Sequence, residues 1–247
     1  MKEIRSDVYN VDCVEYMRTL PDDYFNLAIA DPPYSYAGNE EFAKRKRFNK
    51  GRFNRYRQVD GVEIDIDEWD KTPEDAFFEE LFRVSKNQII WGANYFYGMP
   101  ATRCFLIWKK QIPENFSMAM CEYAWTSFDD NAKVVEFRQQ STNEDVRFHP
   151  TQKPVELYAW ILRNYAKEGD LIFDPMMGSQ SSRIAAYKMG FDYVGCEIEP
   201  IYFNKGNERF DIKSAMVLCC SQTEQKLNNY LYSNYVGTKQ NLQRRLP

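Results

Sequence analysis

The chain has 247 residues, of which 44% are hydrophobic, so it can bury the core of one ordinary domain, and we expect a single domain over residues 1–247. Its formal net charge of −4 excludes a polycation, so a nucleic-acid partner would have to meet a local basic surface. The single histidine, His149, argues against a histidine-rich metal site and a Ser-His-Asp triad, and we expect no bound metal.

Two further features concern the compartment. The six cysteines lack the paired spacing of a metal site, and the N-terminus lacks an apolar signal segment. Both features favour reduced thiols in a cytoplasmic protein. No apolar stretch approaches the roughly 20 residues that a membrane span needs, so we expect no membrane partner.

The first predicted elements lead to a loop rich in proline. We predict a short strand over residues 7–11, a helix over 13–20 and a buried strand over 25–30. That strand ends in Asp31-Pro32-Pro33-Tyr34, because proline cannot donate a hydrogen bond to a neighbouring strand. The stiff loop therefore presents a carboxylate, a free carbonyl and an aromatic ring at fixed positions.

These groups can hold a flat ring that bears an amine. The Asp31 carboxylate and the Pro32 carbonyl would accept its two N–H bonds, and Tyr34 would stack on its face. The four residues alone are equally compatible with an ordinary proline-rich turn after a buried strand. We take Asp31, Pro32, Pro33 and Tyr34 as the candidate catalytic residues because of the motifs further along the chain.

A basic loop follows, over about residues 40–60. Between residues 44 and 57 it contains a run of eight cationic side chains and no acid, interleaved with aromatic residues: Lys44, Arg45, Lys46, Arg47, Lys50, Arg52, Arg55 and Arg57. Cationic groups neutralise phosphates, and aromatic and guanidinium faces stack on bases. We predict that this run binds nucleic acid, with a solvated surface loop as the alternative.

The middle of the chain alternates short apolar runs with polar stretches. We predict a helix over about 75–85 and strands at 88–91, 104–108 and 121–125. Several polar stretches between residues 93 and 148 have no strong period. We expect a small target-recognition insertion in this range, or simply long loops.

The second half of the chain predicts a strand–helix–strand unit with parallel strands. A helix over 154–165 precedes a strand at 171–173, a helix at 181–189 and a strand at 193–196. A last helix runs from about 200 to 210, and residues 211–247 form a polar tail.

The loop of this unit, from Asp174 to Ser179, lies at the N-terminus of a helix. Backbone N–H groups there are unpaired and partly positive, which favours a carboxylate or another acceptor of a bound cofactor. Glu197 follows the next strand, where an acid in doubly wound sheets binds two ribose hydroxyls. This order predicts a cofactor that carries adenosine, and the alternative for Glu197 is a solvated strand end.

Three motifs in their order along the chain resemble a known family. Asp31-Pro32-Pro33-Tyr34, His149-Pro150-Thr151-Gln152-Lys153-Pro154 and Phe173-Asp174-Pro175-Met176-Met177-Gly178-Ser179 are similar to signatures of the DNA amino-methyltransferases, over about residues 7–210. The catalytic motif precedes the cofactor loop, as in the permuted beta group of phage and restriction-modification systems. The segment Cys121–Ser127 also resembles one in short, phage-type members.

The resemblance implies a fold and a reaction. The fold is α/β and Rossmann-like, that of S-adenosylmethionine-dependent methyltransferases, with a circularly permuted motif order and a mostly parallel central sheet containing one antiparallel strand. The reaction is methyl transfer from S-adenosylmethionine to the N6 amine of adenine in double-stranded DNA, with the base flipped out. Cytosine N4 as the target and a non-catalytic DNA-binding relative are the alternatives. A homodimer and a cognate restriction nuclease are further partners that the resemblance allows.

The resemblance also implies roles for single residues. Asp12 would bind the adenine of the cofactor, Lys153 its methionine carboxylate and Glu197 its ribose. The whole predicted cofactor-binding set is Asp12, Cys13, Asp31, Lys153, Asp174, Pro175, Met176, Gly178, Ser179, Gln180, Ser181, Glu197 and Ile198. A helix cap is the alternative for Asp12, and a surface lysine for Lys153. We interpret His149 as a structural hydrogen-bonding residue rather than a proton carrier.

Gln180 departs from the family pattern, which usually has glycine at this position. A glycine there lets the backbone approach a ligand closely. Because S-adenosylmethionine has no pyrophosphate, this demand is weaker than in a dinucleotide site. We expect Gln180 to adopt a negative φ, with its amide near the cofactor.

Overall fold

A computed structural model describes residues 4–33, 56–59, 62–65, 71–113, 119–138 and 147–216. The strands are β1 (Ser6–Tyr9), β2 (Leu27–Ala30), β3 (Tyr56–Val59), β4 (Val62–Asp65), β5 (Gln88–Trp91), β6 (Phe105–Lys109), β7 (Cys121–Thr126), β8 (Lys133–Glu136), β9 (Leu171–Asp174) and β10 (Asp192–Cys196). The helices are α1 (Cys13–Arg18), α2 (Asp75–Val84), α3 (Val155–Tyr165), α4 (Ser181–Met189) and α5 (200–216), with a short 3-10 turn at Ala93–Tyr95. Within these ranges, no helix has the length and apolarity to cross a membrane.

Eight strands form one sheet, in the order β1-β10-β9-β2-β5-β7-β6-β8, while β3 and β4 form a separate antiparallel pair. From β1 to β5 every neighbouring pair is parallel. β7 runs antiparallel to β5 and to β6, and β8 is parallel to β6. The predicted α/β fold, with a mostly parallel sheet and one antiparallel strand, is therefore confirmed.

Helices cover both faces of the sheet, which explains why its central strands are continuously apolar. All four residues of β2 are buried, and so are all four of β5. On one face α3 packs against α4, and Leu27 and Ile29 of β2 belong to the core there. On the other face α1 packs against α2, and Ala28 and Ala30 belong to that core. Alternate residues of a single strand thus stabilise opposite layers.

The predicted elements are present, and most of their ends differ by one or two residues. Three regions differ more. Strands β3 and β4, which form their own antiparallel pair, were not predicted. The range 93–148, predicted as an insertion, contributes β6, β7 and β8 to the central sheet, and β8 was not predicted. Its pattern is weak because only Val135 of its four residues is buried. The last helix continues to residue 216, into the predicted tail.

Candidate active site

Four acidic residues lie at the carboxyl ends of neighbouring parallel strands. Asp12 follows β1, Asp31 follows β2, Asp174 ends β9 and Glu197 follows β10. In open α/β sheets, ligands bind in the crevice outside this edge. Because β9 lies between β2 and β10, the loop after β9 lies between the strand ends that lead to Asp31 and to Glu197.

A cavity of about 830 Å³ opens at this edge. Cavities of roughly 300–1,000 Å³ hold small-molecule ligands and cofactors. Twelve predicted site residues line it: Asp12, Cys13, Asp31, Pro32, Pro33, Lys153, Pro175, Met176, Gly178, Ser179, Glu197 and Ile198. The structure thus brings the Asp-Pro-Pro loop and the loop after β9 to one space.

A buried lysine holds the carboxylate of Asp31. Oδ1 of Asp31 lies 2.5 Å from Nζ of Lys153, and the two side chains are 13% and 2% exposed. Burial raises the pKa of Asp31, and the Lys153 ammonium opposes that rise. The surface-lysine alternative for Lys153 is therefore wrong, and its contact with a methionine carboxylate stays a prediction. Within the described part of the chain, Oδ2 of Asp31 makes no hydrogen bond or ion pair, so it can accept from a ligand.

Lys153 belongs to a chain of four buried charges. Its Nζ also lies 3.1 Å from Oε2 of Glu122, whose Oε1 lies 2.5 Å from Nζ of Lys110. Burial alone would raise the pKa of Glu122, but Lys153 and Lys110 together lower it to about 2. We call Asp31, Lys153, Glu122 and Lys110 the buried tetrad. Two carboxylates and two ammonium groups give it no net charge.

Backbone groups, not side chains, hold the carboxylate of Glu197. Oε2 accepts a hydrogen bond from the N–H of Gly178 at 2.8 Å, and Oε1 accepts one from the N–H of Glu199 at 2.9 Å. Burial raises the pKa of Glu197 to about 7, although both hydrogen bonds favour the ionised form. Glu197 is buried, so the alternative of a solvated strand end is wrong. Its contact with ribose stays a prediction.

Gly178 is the contact point between the loop after β9 and the His149–Pro154 motif. Its φ is +46°, and a Cβ there would lie 3.1 Å from Cε1 and Nε2 of the His149 ring. Both the backbone and the neighbouring ring therefore favour glycine. The Thr151 hydroxyl lies 3.2 Å from Nδ1 of His149, which agrees with a structural role for this histidine.

Asp12 caps helix α1. Its Oδ1 accepts hydrogen bonds from the N–H groups of Val14 at 2.8 Å and Glu15 at 2.9 Å, so the helix-cap alternative is confirmed. Asp12 also lines the cavity. Since a carboxylate has two oxygens, capping is compatible with the predicted contact to the cofactor.

Three residues of the predicted cofactor set do not line the cavity: Asp174, Gln180 and Ser181. Oδ1 of Asp174 accepts from the N–H of Met176 at 3.1 Å, and its Oδ2 accepts from the hydroxyl of Ser182 at 2.5 Å. Burial raises the pKa of Asp174 to about 7. The Ser181 hydroxyl donates to the carbonyl of Lys153 at 2.7 Å. These residues shape the loop from behind the cavity, and their contact with the cofactor stays a prediction.

Gln180 differs from its prediction in backbone and side chain. Its φ is +59°, so the expected negative φ is wrong, and a left-handed conformation costs a non-glycine residue about 1–2 kcal/mol. Its Nε2 donates to the Phe203 carbonyl at 3.2 Å and to Oδ1 of Asn207 at 3.1 Å. Its Oε1 accepts from Arg183 at 2.8 Å. These bonds to α4 and α5 offset the backbone strain and turn the amide away from the expected cofactor contact.

Most of the predicted nucleic-acid surface lies outside the described residues. Tyr34 is among these, and so are Lys44, Arg45, Lys46, Arg47, Lys50, Arg52 and Arg55. Arg57 belongs to β3. Stacking by Tyr34 and DNA binding by the basic run stay predictions.

Lys110 and Glu122 were not predicted as site residues from the sequence. Lys110 directly follows β6, and Glu122 is the second residue of β7. A buried charge persists only where it is paired, so a lysine and an acid at the ends of two adjacent apolar strands were the available signal.

Most of the chain matches a known protein family. Residues 40–208 match the model of a family described as DNA methylase, more than half of the chain. The chain belongs to the DNA methylase family. The matched range contains the His149–Pro154 motif and the loop after β9, while Asp31 precedes it. This DNA methylase is 26% identical over 264 residues to the type II methyltransferase M.HinfI of Haemophilus influenzae, with 85% of the chain and 70% of the relative covered.

Two solved structures share the fold of this DNA methylase. The PvuII DNA methyltransferase, which is cytosine-N4-specific, has a TM-score of 0.56 and 13% identity, with 87% of this chain and 94% of the other covered. A Thermus thermophilus protein assigned as a DNA modification methylase, in complex with S-adenosyl-L-methionine, has a TM-score of 0.52 and 18% identity, with 84% and 94% covered. At these identities the likeness establishes the fold alone.

Proposed function

We propose that this DNA methylase transfers a methyl group from S-adenosylmethionine to the N6 amine of adenine in DNA. The observation that carries the proposal is a single cavity lined by Asp31, Gly178 and Glu197. An acceptor for an amine and a loop suited to the methyl donor thus face the same space. Direct transfer requires this arrangement, because the donor carbon and the acceptor nitrogen must meet in line.

The residues of the cavity fit the methyl donor. Gln152 lines the cavity, and within the described chain its buried Oε1 has no hydrogen-bond partner. A buried acceptor of this kind is costly unless a ligand supplies a donor, and the ammonium and hydroxyl groups of S-adenosylmethionine are such donors. Glu197 would accept from ribose hydroxyls, and Asp12 would contact the adenine. When bound, the cofactor supplies a methyl group carried on a positively charged sulfur.

Asp31 and Pro32 would activate the target amine. The exocyclic amine of adenine is a weak nucleophile, because its lone pair is delocalised into the ring. Oδ2 of Asp31 and the carbonyl of Pro32, both accepting N–H bonds, favour the pyramidal nitrogen over the planar one. Their stabilisation is thus concentrated in the transition state. No strong base is needed, because the methylated amine carries a positive charge and releases its proton readily.

Adenine is the proposed target because of the acid in the Asp-Pro-Pro-Tyr motif. Family members with an acid at this position more often methylate adenine, and members with a serine there more often methylate cytosine. Cytosine N4 is the second candidate, since a cytosine-N4-specific enzyme shares the fold. Both amines need the same two acceptors, so the base rather than the mechanism distinguishes the candidates.

The substrate would be double-stranded DNA with the target base rotated out of the helix. A base stacked in the duplex cannot reach Asp31, which lines the cavity at the end of β2. Rotating the base out of the helix costs a few kcal/mol. The basic run over residues 44–57 would offset this cost by contacts to the backbone phosphates. A homodimer and a cognate restriction nuclease stay predictions.

Expression in a host without DNA methylation, followed by modification-sensitive genome sequencing, tests the proposal. We expect N6-methyladenine at one short recurring sequence. N4-methylcytosine would overturn the base assignment, and an unmodified genome in cells that contain the folded protein would overturn the activity. Asp31→Ala, expressed at the same level, is the control and should leave the genome unmodified.

A further inference from the structure

The buried tetrad extends away from the cavity, behind Asp31. Asp31 and Lys153 line the cavity, whereas Glu122 and Lys110 do not. The Lys110 side chain is nevertheless buried, with 6% exposed, and that of Glu122 is mostly covered, with 17% exposed. A ligand in the cavity would therefore not contact these two residues directly.

The antiparallel strand explains how Glu122 reaches this position. β6 ends at Lys109, just before Lys110, and β7 begins at Cys121, just before Glu122. In the antiparallel register Lys109 pairs with Cys121, so the end of one strand lies beside the start of the other. Lys110 and Glu122 therefore meet at the sheet edge where Asp31 follows β2.

Lys153 alone would compensate the charge of Asp31, so Glu122 and Lys110 are not needed for that purpose. A pair of Asp31 and Lys153 would already be neutral, but the ammonium would then serve one carboxylate alone. With Glu122 on its other side, Lys153 contacts two carboxylates, at 2.5 Å and 3.1 Å. Lys110 restores neutrality, since three buried charges with an excess of one would be costly.

We propose that Glu122 and Lys110 are positioning residues: Glu122 holds Lys153 from the side opposite Asp31, Lys110 holds Glu122, and the two together orient Asp31 and balance its charge for the target amine. Glu122 shares the Lys153 ammonium with Asp31 and by its own negative charge raises the pKa of Asp31. Lys110 offsets that negative charge and lowers the pKa of Asp31. This inference rests on the proposed methyl transfer for its kinetic consequence, but the charge state of Asp31 can be measured without it.

Five titratable groups act on Asp31 from the surrounding elements. Lys153 and Lys110 favour its ionised form, and Glu122 opposes it. Tyr158 of α3 and Asp174 at the end of β9 also interact with it electrostatically. Glu122 stays ionised at working pH, since its pKa is about 2. Neutralising Glu122 should therefore lower the pKa of Asp31, and neutralising Lys110 should raise it.

The test compares Glu122→Gln with Lys110→Met in single-turnover methylation across pH, with cofactor saturating. We expect the acid limb of the rate profile to move down by about one pH unit in the first variant and up by about one in the second, since a nearby charge shifts a carboxyl pKa by 1–3. A merely structural role would lower the rate in both variants and leave the acid limb in place.

Two matched variants control for side effects. Lys110→Arg keeps the charge and should keep the wild-type acid limb. Lys109→Met removes the same charge one residue away, from a pair with Glu136 whose side chains are 50% and 47% exposed. Solvent screens that pair, so the acid limb should stay in place.

A second readout separates this inference from the proposed function. The ¹³C resonance of the Asp31 carboxyl, assigned with Asp31→Asn, titrates with the pKa of that group whether or not DNA is methylated. Opposite shifts in the two variants support the inference even if the wild type transfers no methyl group. Shifts in the same direction, or none, overturn it even if the wild type is active. Each variant also has its own expected sign relative to wild type, a lower Asp31 pKa for Glu122→Gln and a higher one for Lys110→Met, so if one variant fails to fold, the sign in the other decides.

Discussion

The cavity has an acid on either side, and the two acids are held in different ways. Asp31 depends on the ammonium of Lys153, which Glu122 also contacts, and Glu122 is paired in turn with Lys110. Glu197 depends on two backbone N–H groups, those of Gly178 and Glu199. Burial raises the pKa of both acids, so the difference lies in what opposes burial.

The two kinds of support respond to different changes. A unit charge on a side chain can be removed by one substitution, so the properties of Asp31 depend on residues far from it in sequence. Backbone donors persist as long as the loop keeps its shape, so Glu197 depends on the fold. We therefore expect changes near Asp31 to alter rate, and changes near Glu197 to alter cofactor affinity and stability.

The largest expected effect separates catalysis from binding. Asp31→Ala removes an acceptor that acts in the transition state, so methyl transfer should fall by at least about a hundredfold. Cofactor affinity, measured by calorimetry, should change little because Lys153 keeps Glu122 as a partner. Retained turnover in Asp31→Ala would exclude the proposed role, and Asp31→Asn shows how much of the loss is due to charge.

Glu197→Gln should have the opposite effect: weaker cofactor binding with the rate of methyl transfer nearly unchanged. An amide nitrogen cannot accept a hydrogen bond, so either Gly178 or Glu199 loses its acceptor, at a cost of about 1–3 kcal/mol. We expect the Kd and KM for S-adenosylmethionine to rise about tenfold to a hundredfold, with kcat at saturating cofactor nearly unchanged. A fall in kcat at wild-type KM would contradict the division between the two acids.

A third effect concerns stability against pH. The pKa of Asp174 is about 7 in the folded protein and near 3.8 as a reference, so the folded state holds the proton more tightly. Its contribution to stability is fully present below about pH 4 and is lost as pH rises through 7, a change on the order of a few kcal/mol. Glu197 acts in the same direction.

Asp174→Asn tests this dependence with little structural change. The amide oxygen can accept from Met176, and the amide nitrogen can donate to the Ser182 hydroxyl. We expect the variant to gain stability relative to wild type at pH 8 and to gain nothing at pH 4, by urea unfolding. An equal change at both pH values would show that titration of Asp174 is not the cause.

The smallest effect isolates the backbone strain at Gln180. Gln180→Ala and Gln180→Gly both lose the hydrogen bonds to α4 and α5, but only glycine is relaxed at a φ of +59°. The glycine variant should therefore be more stable than the alanine variant by about 1 kcal/mol in urea unfolding. Equal stabilities would argue against a left-handed residue there.

Local patterns predicted the parts of the site that depend on local structure. The buried strand before Asp31 and the two prolines after it are adjacent in sequence, and their consequence is steric. The loop after β9 and Glu197 were likewise predictable, because a single strand–helix–strand unit contains both.

The remaining parts depend on contacts that the sequence order does not show. Lys153 meets Asp31 and Glu122 only because the loop after β2, the segment before α3 and the start of β7 lie at the same sheet edge. The positive φ of Gln180 was missed because its stabilising partners lie in α5, more than 20 residues further along. β8 was missed because an edge strand with a single buried residue has almost no pattern.

The segment from His149 to Lys153 touches both sides of the cavity. Its first residue packs its ring on Gly178, and its last holds Asp31 through Nζ while its carbonyl accepts from Ser181. Five covalently linked residues thus act as a spacer between the donor loop and the acceptor loop. Lengthening this segment by one residue should therefore uncouple donor from acceptor, even if each still binds its own ligand.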